Sequence, residues 1–434
     1  MIPHSHGRML FLKRLTWHGT KVVSYLCTSR TLLSDAKRSM TPTIHETREW
    51  LKDLLDAHGI WGSPPPGSGM KAAPSPDNFE NVKLQVRNMQ DSYKEARIPV
   101  GLDPMVREKY INFYHGIRIG RILEDLDTFA VAIGYKHNLD PSRGGTLRTP
   151  MSIVTALVDR IDLSKEGIDP RQDIMMSGHV TWAGKSSMEI TMDLNQEINN
   201  SWTKMIQAKF VMVARNPVTK GAVMVNPLHP IGEKEEALFK MGEANKKKRI
   251  EEGKKTLLKS PPSEEERLII HNQFLHTLDP KSSSFKIRVR PENSVWMEDT
   301  VLKNLHICFP EQRNLYDKIF GGYLMRKAFE LAWANALLYC KQRPFVRVVD
   351  DVVFQKPVEV GSLLFMSSQV VYTKGPLIQV KVHAEVVNPK DETQETTNNF
   401  HFTFDSKMDS LPTVMPKTYA ESMLYLDGKR HFEE

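Results

Sequence analysis

The chain has 434 residues, 40% of them hydrophobic, and a formal net charge of +7 at pH 7. That length admits two or three domains with real cores, the apolar content excludes a disordered chain, and no stretch reaches the roughly 20 apolar residues of a membrane helix. The charge does not mark a nucleic-acid-binding surface: seven basic residues and one acid, Asp35, fall within the first 40, which leaves the body nearly neutral, so no nucleic-acid partner is expected.

Residues 1–40 are rich in Arg, Lys, Ser and Thr, with no acid before Asp35, and read as a mitochondrial transit peptide directing the chain to the matrix. Residues 41–87 hold a helical pattern over 43–57 and a Pro/Gly/Ser linker over 62–76. A first domain is expected over 88–228. Gly120 opens a helix whose Ile119, Ile122, Leu123, Leu126, Ala130 and Ile133 share one face, with Glu124 and Asp125 as surface charges. A flexible loop over 143–148 follows, then strands over 155–161, 174–182, 187–194 and 208–215.

A charged helical connector spans 229–284. Lys246, Lys247, Lys248 and Arg249 read there as a solvated face, and Ser263 with Glu266 forms a capping box ahead of a helix over 268–278. The second domain, 285–408, repeats the first. Gly321 and Gly322 open a helix, and strands follow over 345–354, 363–372, 377–386 and 397–404. The pair Val158-Asp159 matches Val349-Asp350 in position. From Ile378 to Val386 apolar and polar residues alternate, which gives an antiparallel sheet one buried and one solvated face. Residues 409–434 form a C-terminal segment. The fold class is α+β: in each half a long helix is wrapped by a curved antiparallel sheet, and pairing the halves edge to edge satisfies both edges. Cys308 and Cys340 lack metal-ligand spacing and read as free thiols; neither metal nor cofactor is expected.

Four stretches carry a family resemblance. Asn-Leu-Tyr-Asp-Lys-Ile-Phe-Gly-Gly-Tyr-Leu-Met over 314–325 resembles the segment that starts the central helix of hotdog acyl-CoA thioesterases, although Asp317 stands where many relatives carry Gly. Phe-Gln-Lys-Pro-Val-Glu-Val-Gly over 354–361 resembles their second-strand signature. The segments over 117–127 and 419–431 are similar to the mitochondrial acyl-CoA thioesterase 9 group. The resemblance runs from about residue 90 to the C-terminus. It implies two tandem hotdog domains forming a pseudo-dimer, hydrolysis of acyl-CoA to free acid and CoA with no covalent nucleophile, and further assembly as a homo-oligomer.

Thioester hydrolysis needs an activated water, a polarised carbonyl and a grip on CoA. A carboxylate can be the base, and backbone N–H groups at a helix N-terminus can meet developing negative charge. Gly321, Gly322 and Gly120 are the helix-start candidates. Asn314 precedes Gly322 by the same eight residues that separate Asn112 from Gly120. The resemblance places an acid seven residues after the second Gly. That is Asp127 in the first half; in the second half it is Phe329, with Glu330 one residue later. One site would pair Asn314 with Asp127 across the halves. The complementary pair, Asn112 and Glu330, would be weaker or dead, since Arg121 breaks the Gly pair there. Arg313, Arg326 and Arg347, with Lys327 and Arg343 nearby, are the candidates for the CoA phosphates, and His179 is a possible substrate contact. The alternative to the enzyme is a non-catalytic acyl-CoA sensor or scaffold with the same fold. Hydratase chemistry is disfavoured, because neither helix offers a His before His137.

Overall fold

The first half is built in the order α1 (Ile44–Asp56), α2 (Met89–Ser92), β1 (Lys94–Ile98), α3 (Pro104–Tyr110), α4 (Ile119–Asn138), β2 (Leu139–Asp140), β3 (Thr146–Leu147), β4 (Ser152–Val158), β5 (Ile161–Asp162), β6 (Ile174–Ala183), β7 (Ser187–Ile198) and β8 (Ser201–Arg215). Two connector helices follow, α5 (Gly232–Glu252) and α6 (Glu264–His276). The second half runs β9 (Ser294–Trp296), β10 (Leu302–Ile307), α7 (Gly321–Cys340), β11 (Phe345–Val349), β12 (Val352–Phe354), β13 (Leu363–Lys374), β14 (Leu377–Val387), β15 (Gln394–Asp405), β16 (Thr413–Met415) and α8 (Tyr419–Glu433). The computed structural model describes residues 41–56, 84–140, 146–147, 151–164, 167–217, 219–281, 284–314, 318–350, 352–388 and 393–433. The expected targeting segment, the 62–76 linker, Asp317 and most of the 143–148 loop lie outside these.

A 12-stranded antiparallel sheet carries both halves: ten strands run in the order β1-β6-β7-β8-β4-β12-β15-β14-β13-β10, and off that path β11 pairs with β15 and β5. The halves meet at its centre. Leu157 and Val158 pair with Val353 and Val352, and beside them Ile161 and Asp162 pair with Val349 and Val348. Each half shows the same irregularities. Strand β4 bulges at Thr155/Leu157 in one half and β11 at Val346/Val348 in the other. Matching bulges recur at Val180/Trp182 and Val370/Tyr372, and at Leu194/Asn195 and Ala384/Glu385. A bulge re-aims side chains at one place in a strand, so three in common register make the internal repeat a repeat of geometry as well as of pattern.

The two 20-residue helices, α4 and α7, pack against each other and against the inner face of the sheet. Phe129, Ile133, Phe400, Phe402 and Phe404 are fully buried there. Helix α1 packs on α4 and β1, so α4 is covered by the sheet, α7 and α1 together. This corrects the reading of Glu124 and Asp125 as surface charges: both are buried, because α1 and α7 cover that side of α4. The edge strands β1 and β10 escaped the sequence reading, being short and only partly buried.

The connector lies on the outer face. The Ser263–Glu266 capping box is formed. Within the basic run, Arg249 bonds Asp159 at 2.9 Å and the buried Glu189 at 3.1 Å, and Lys246 lies 5.0 Å over the Trp182 ring. The run is therefore partly a docking face rather than wholly solvated. On the second half, α8 is clasped to the sheet by Lys381 and His401, which meet Asp427 at 2.7 and 3.2 Å.

Candidate active site

Asp127 sits two-fifths of the way along α4, facing the start of α7. Its Oδ2 accepts from the Gly322 N–H at 2.6 Å, and its Oδ1 accepts from the Thr155 hydroxyl on β4. The side chain is about 1% exposed. Burial pushes its pKa up to about 6, against the lowering effect of those two hydrogen bonds, and nearby Glu124 adds to the rise. A carboxylate poised near neutrality can accept a proton from water at physiological pH.

The glycines let α7 approach this closely. A side chain at Gly322 would meet the Glu124 backbone at 2.9 Å, and one at Gly321 would meet Asp127 Oδ2 and the Phe354 ring at 3.3 Å. The Gly322 amide is committed to Asp127, whereas the sequence reading assigned it to the thioester oxygen. A helix N-terminus favours negative charge, and the carboxylate takes that place. Asn314 closes a small loop: its N–H donates to the Lys318 carbonyl at 2.5 Å and its Oδ1 accepts from the Lys318 N–H at 3.2 Å.

Asp127, Thr155, Gly321, Asn314 and Arg313 line one cavity of about 1000 Å³, walled by both halves and by α1. Its apolar lining includes Leu51, Val131, Ile153, Val154, Ile319, Leu324, Phe354 and Val358. Its charged lining comprises seven cations (Arg48, Lys52, Arg215, Lys220, Arg313, Lys318, Lys356) and four acids (Glu124, Asp127, Glu311, Glu359), so it suits a ligand with both apolar and anionic parts.

The other candidates are not gathered here. Glu330 is half-exposed, bonds Arg118 at 2.7 Å and does not line this cavity. Asn112 makes the same pair of contacts with Gly116 that Asn314 makes with Lys318, its Oδ1 accepting from Gly116 at 3.1 Å, while Gly120 packs on Arg326 and on the Phe329 ring. By the repeat, Phe329 stands where Asp127 stands in the other half, and Val346 stands where Thr155 does. The ring of Phe329 packs on Phe402 at 5.5 Å and on Phe404 at 5.9 Å. Arg326 joins Arg121 on Glu124, at 2.9 and 2.8 Å, in an ion triad between α4 and α7, and Arg347 grips Asp405 at 2.8 Å. Neither Arg326 nor Arg347 lines the cavity. Lys327 lies over Tyr323, Arg343 over Tyr114 and Phe345, and His179 beside Tyr93. Cys308 and Cys340 are buried, and burial pushes Cys308 up to about 11, unsuited to a nucleophile.

Sequence reasoning missed Thr155, because a Thr in a strand first reads as a β-former. Its one signal was the contrast with Val346 in the repeat. His401, Asp427 and His431 bring ligand-type atoms within 4.8 Å, but the Lys381 ammonium already stands at Asp427.

No family model matches the chain. Over 392 residues it is 50% identical to acyl-coenzyme A thioesterase 9, mitochondrial, of Homo sapiens, an alignment covering 90% of this chain and 88% of that protein. It is 51% identical over 351 residues to the mitochondrial acyl-coenzyme A thioesterase 10 of Mus musculus, covering 81% and 79%. With the mitochondrial acyl-coenzyme A thioesterase 4 of Humulus lupulus it shares 32% over 374 residues, covering 82% and 68%. Among solved structures, the Staphylococcus aureus acyl-CoA hydrolase in complex with butyryl coenzyme A aligns at 22% identity and a TM-score of 0.31, over 32% of this chain and 88% of that one.

Proposed function

The chain belongs to the mitochondrial acyl-coenzyme A thioesterase 9 and 10 family, and from that premise we propose how its cavity performs the reaction. It is an acyl-CoA thioester hydrolase of the mitochondrion. Asp127 is the general base. It takes a proton from a water that attacks the thioester carbonyl. The Gly321 N–H, at the start of α7, and the Asn314 side-chain amide meet the oxygen on which negative charge develops. Collapse of the tetrahedral intermediate breaks the C–S bond. CoA leaves as a thiolate and takes the proton back from Asp127, and the free acid remains. Thr155 and Gly322 hold the carboxylate in line. Arg313 and its cationic neighbours on the cavity wall receive the CoA phosphates. No step calls for a metal or a covalent intermediate.

The observation that carries this reading is the meeting of Asp127, from one half, with the start of α7, from the other, inside a mixed apolar and cationic cavity. The same meeting supports the finer architectural reading, two hotdog units in a pseudo-dimer with one composite site alive. The test is thiol release from a panel of acyl-CoA esters by the parent, Asp127→Asn and Glu330→Gln. Loss of at least 10²-fold in kcat is expected for the first alone. Undiminished turnover by Asp127→Asn would remove Asp127 as the base. Acyl-CoA binding without turnover by the parent would instead favour a sensor.

Two further parts of the reading concern setting. The buried free thiols suit a reducing matrix. The outer edge at β10 exposes Leu305 and Ile307, with Phe309 just beyond, which supports assembly with further copies of the chain.

A further inference from the structure

Helix α1 lies outside the repeat, yet it contributes to the cavity. Arg48, Leu51 and Lys52 fall at i, i+3 and i+4, on one face, and all three line the space that holds Asp127. The helix is held there firmly. Leu55 is fully buried, and Arg48 bonds Asp125 at 2.5 Å while the Tyr110 hydroxyl takes the other oxygen of the same carboxyl. Asp125 lies two residues from Asp127 on α4, so the anchor of α1 and the base are parts of one turn. Beyond Asp127 on α4, Thr128 and Val131 continue the cavity lining, and Ile153 and Val154 join them from β4. Arg48 and Lys52 both carry carboxylate partners, Asp125 and Glu49. Between those two cations, the wall presents the apolar side chain of Leu51 to the cavity.

We propose that α1 is the end wall of the acyl compartment, and that the side chain at position 51 is what the acyl chain meets and what sets the preferred chain length. The proposal rests on reading Asp127 as the place of the thioester carbonyl. On that reading the acyl chain takes the apolar lining that Val131, Ile153, Val154 and Leu51 supply from α4, β4 and α1, and the CoA phosphates take the lining cations of the second half, Arg313, Lys318 and Lys356. A hydrophobic pocket discriminates by the space it leaves for each methylene, so truncating its end wall lengthens the best substrate.

The test compares the full chain with Leu51→Ala, Leu51→Phe and Leu55→Ala. For each, kcat/KM is measured across saturated acyl-CoA esters from acetyl to palmitoyl, together with inhibition by free CoA. Leu51→Ala is expected to favour chains about two or three carbons longer, changing the long-to-short ratio of kcat/KM by roughly tenfold. Leu51→Phe should shift the profile toward shorter chains. Leu55→Ala removes a fully buried leucine from the same helix without touching the cavity, so it should lower stability and leave the shape of the profile alone. Free CoA should inhibit all four alike. If the Leu51 variants keep the parent's profile but change inhibition by CoA, the wall faces CoA and the proposal is overturned. A common factor across all esters in both Leu51 and Leu55 variants would make α1 merely structural, and would also overturn it. Should Asp127→Asn retain turnover while the profile still shifts with residue 51, the base is misassigned and the wall stands.

Discussion

Asp127 lies in conflict with its surroundings, and the conflict has a measurable sign. Unfolded, its carboxyl titrates near the ordinary 3.8; folded, it titrates near 6. Between those values the unfolded chain has released its proton and the folded chain has kept it, so raising the pH favours unfolding. Above about 6 both states are ionised and the whole penalty stands, at most about 3 kcal/mol at pH 8. Asp127→Asn should therefore abolish turnover and yet raise the melting temperature at pH 8, with little gain at pH 4. Parallel thermal scans of parent and variant at the two pH values check this. For the parent, kcat/KM should rise through a pKa near 6 as the base ionises. A profile flat from pH 5 to 8 would separate the base from this carboxyl. The motif spacing singled out Asp127 from sequence alone, but its burial was not legible. On the helical wheel it flanks the apolar stripe, and only the arrival of α7 and α1 closes that side. Glu330 shows the converse. It is the acid nearest the motif position in the second half, but one residue rotates a helical side chain by about 100°, and the structure leaves it half-exposed on Arg118.

At the scale of elements, long periodic segments were legible and short ones were not. Helices α4 and α7 and strands β6, β7, β13 and β14 declare themselves by period, since each buries one regular face. Strands β1 and β10 do not, because an edge strand is specified by its one neighbour and by what covers it. The connector was legible as helices, but its role was not. A Lys/Arg run looks solvated until a buried acid on another element is found to meet it. Here that acid is Glu189, whose carboxylate is reached by Asn245 and Arg249 of α5. Removing one member of a buried pair leaves the other charge unmatched. Arg249→Ala is thus expected to destabilise by about 3 kcal/mol. It should appear as a lower urea midpoint, while kcat/KM at low temperature stays close to the parent's, because Arg249 does not line the cavity. An equal loss of activity and stability would mean that the connector reaches the site.

For the whole molecule, duplication explains both what the two halves share and what they have lost. The sheet is continuous because each half supplies the edge the other needs, and the bulges recur because the same local kinks seat each helix. The proposed reading makes two composite sites, related by the repeat, with matching contacts between Asn314 and Lys318 and between Asn112 and Gly116. On that reading the chemistry has been kept in one. In the other, Phe329 replaces the carboxylate, Val346 replaces the hydroxyl that steadies it, Ile119 and Arg121 flank Gly120, and Glu330 bonds Arg118. A phenyl ring packed on Phe402 and Phe404 contributes to the core what a buried carboxylate at the same place would subtract. The lost site should thus have gained stability as it lost function. The consequence is a stoichiometry. A hydrolysis-inert acyl-CoA thioether, titrated calorimetrically against the chain, should bind once per chain. That single event should be weakened by Arg313→Ala, on the cavity wall, and not by Arg347→Ala, which lies off that wall. Two events per chain would show that the second site still binds and has lost only its base. Duplication would then have kept two CoA grips while needing one catalyst, and the second grip would be free to report CoA to the first.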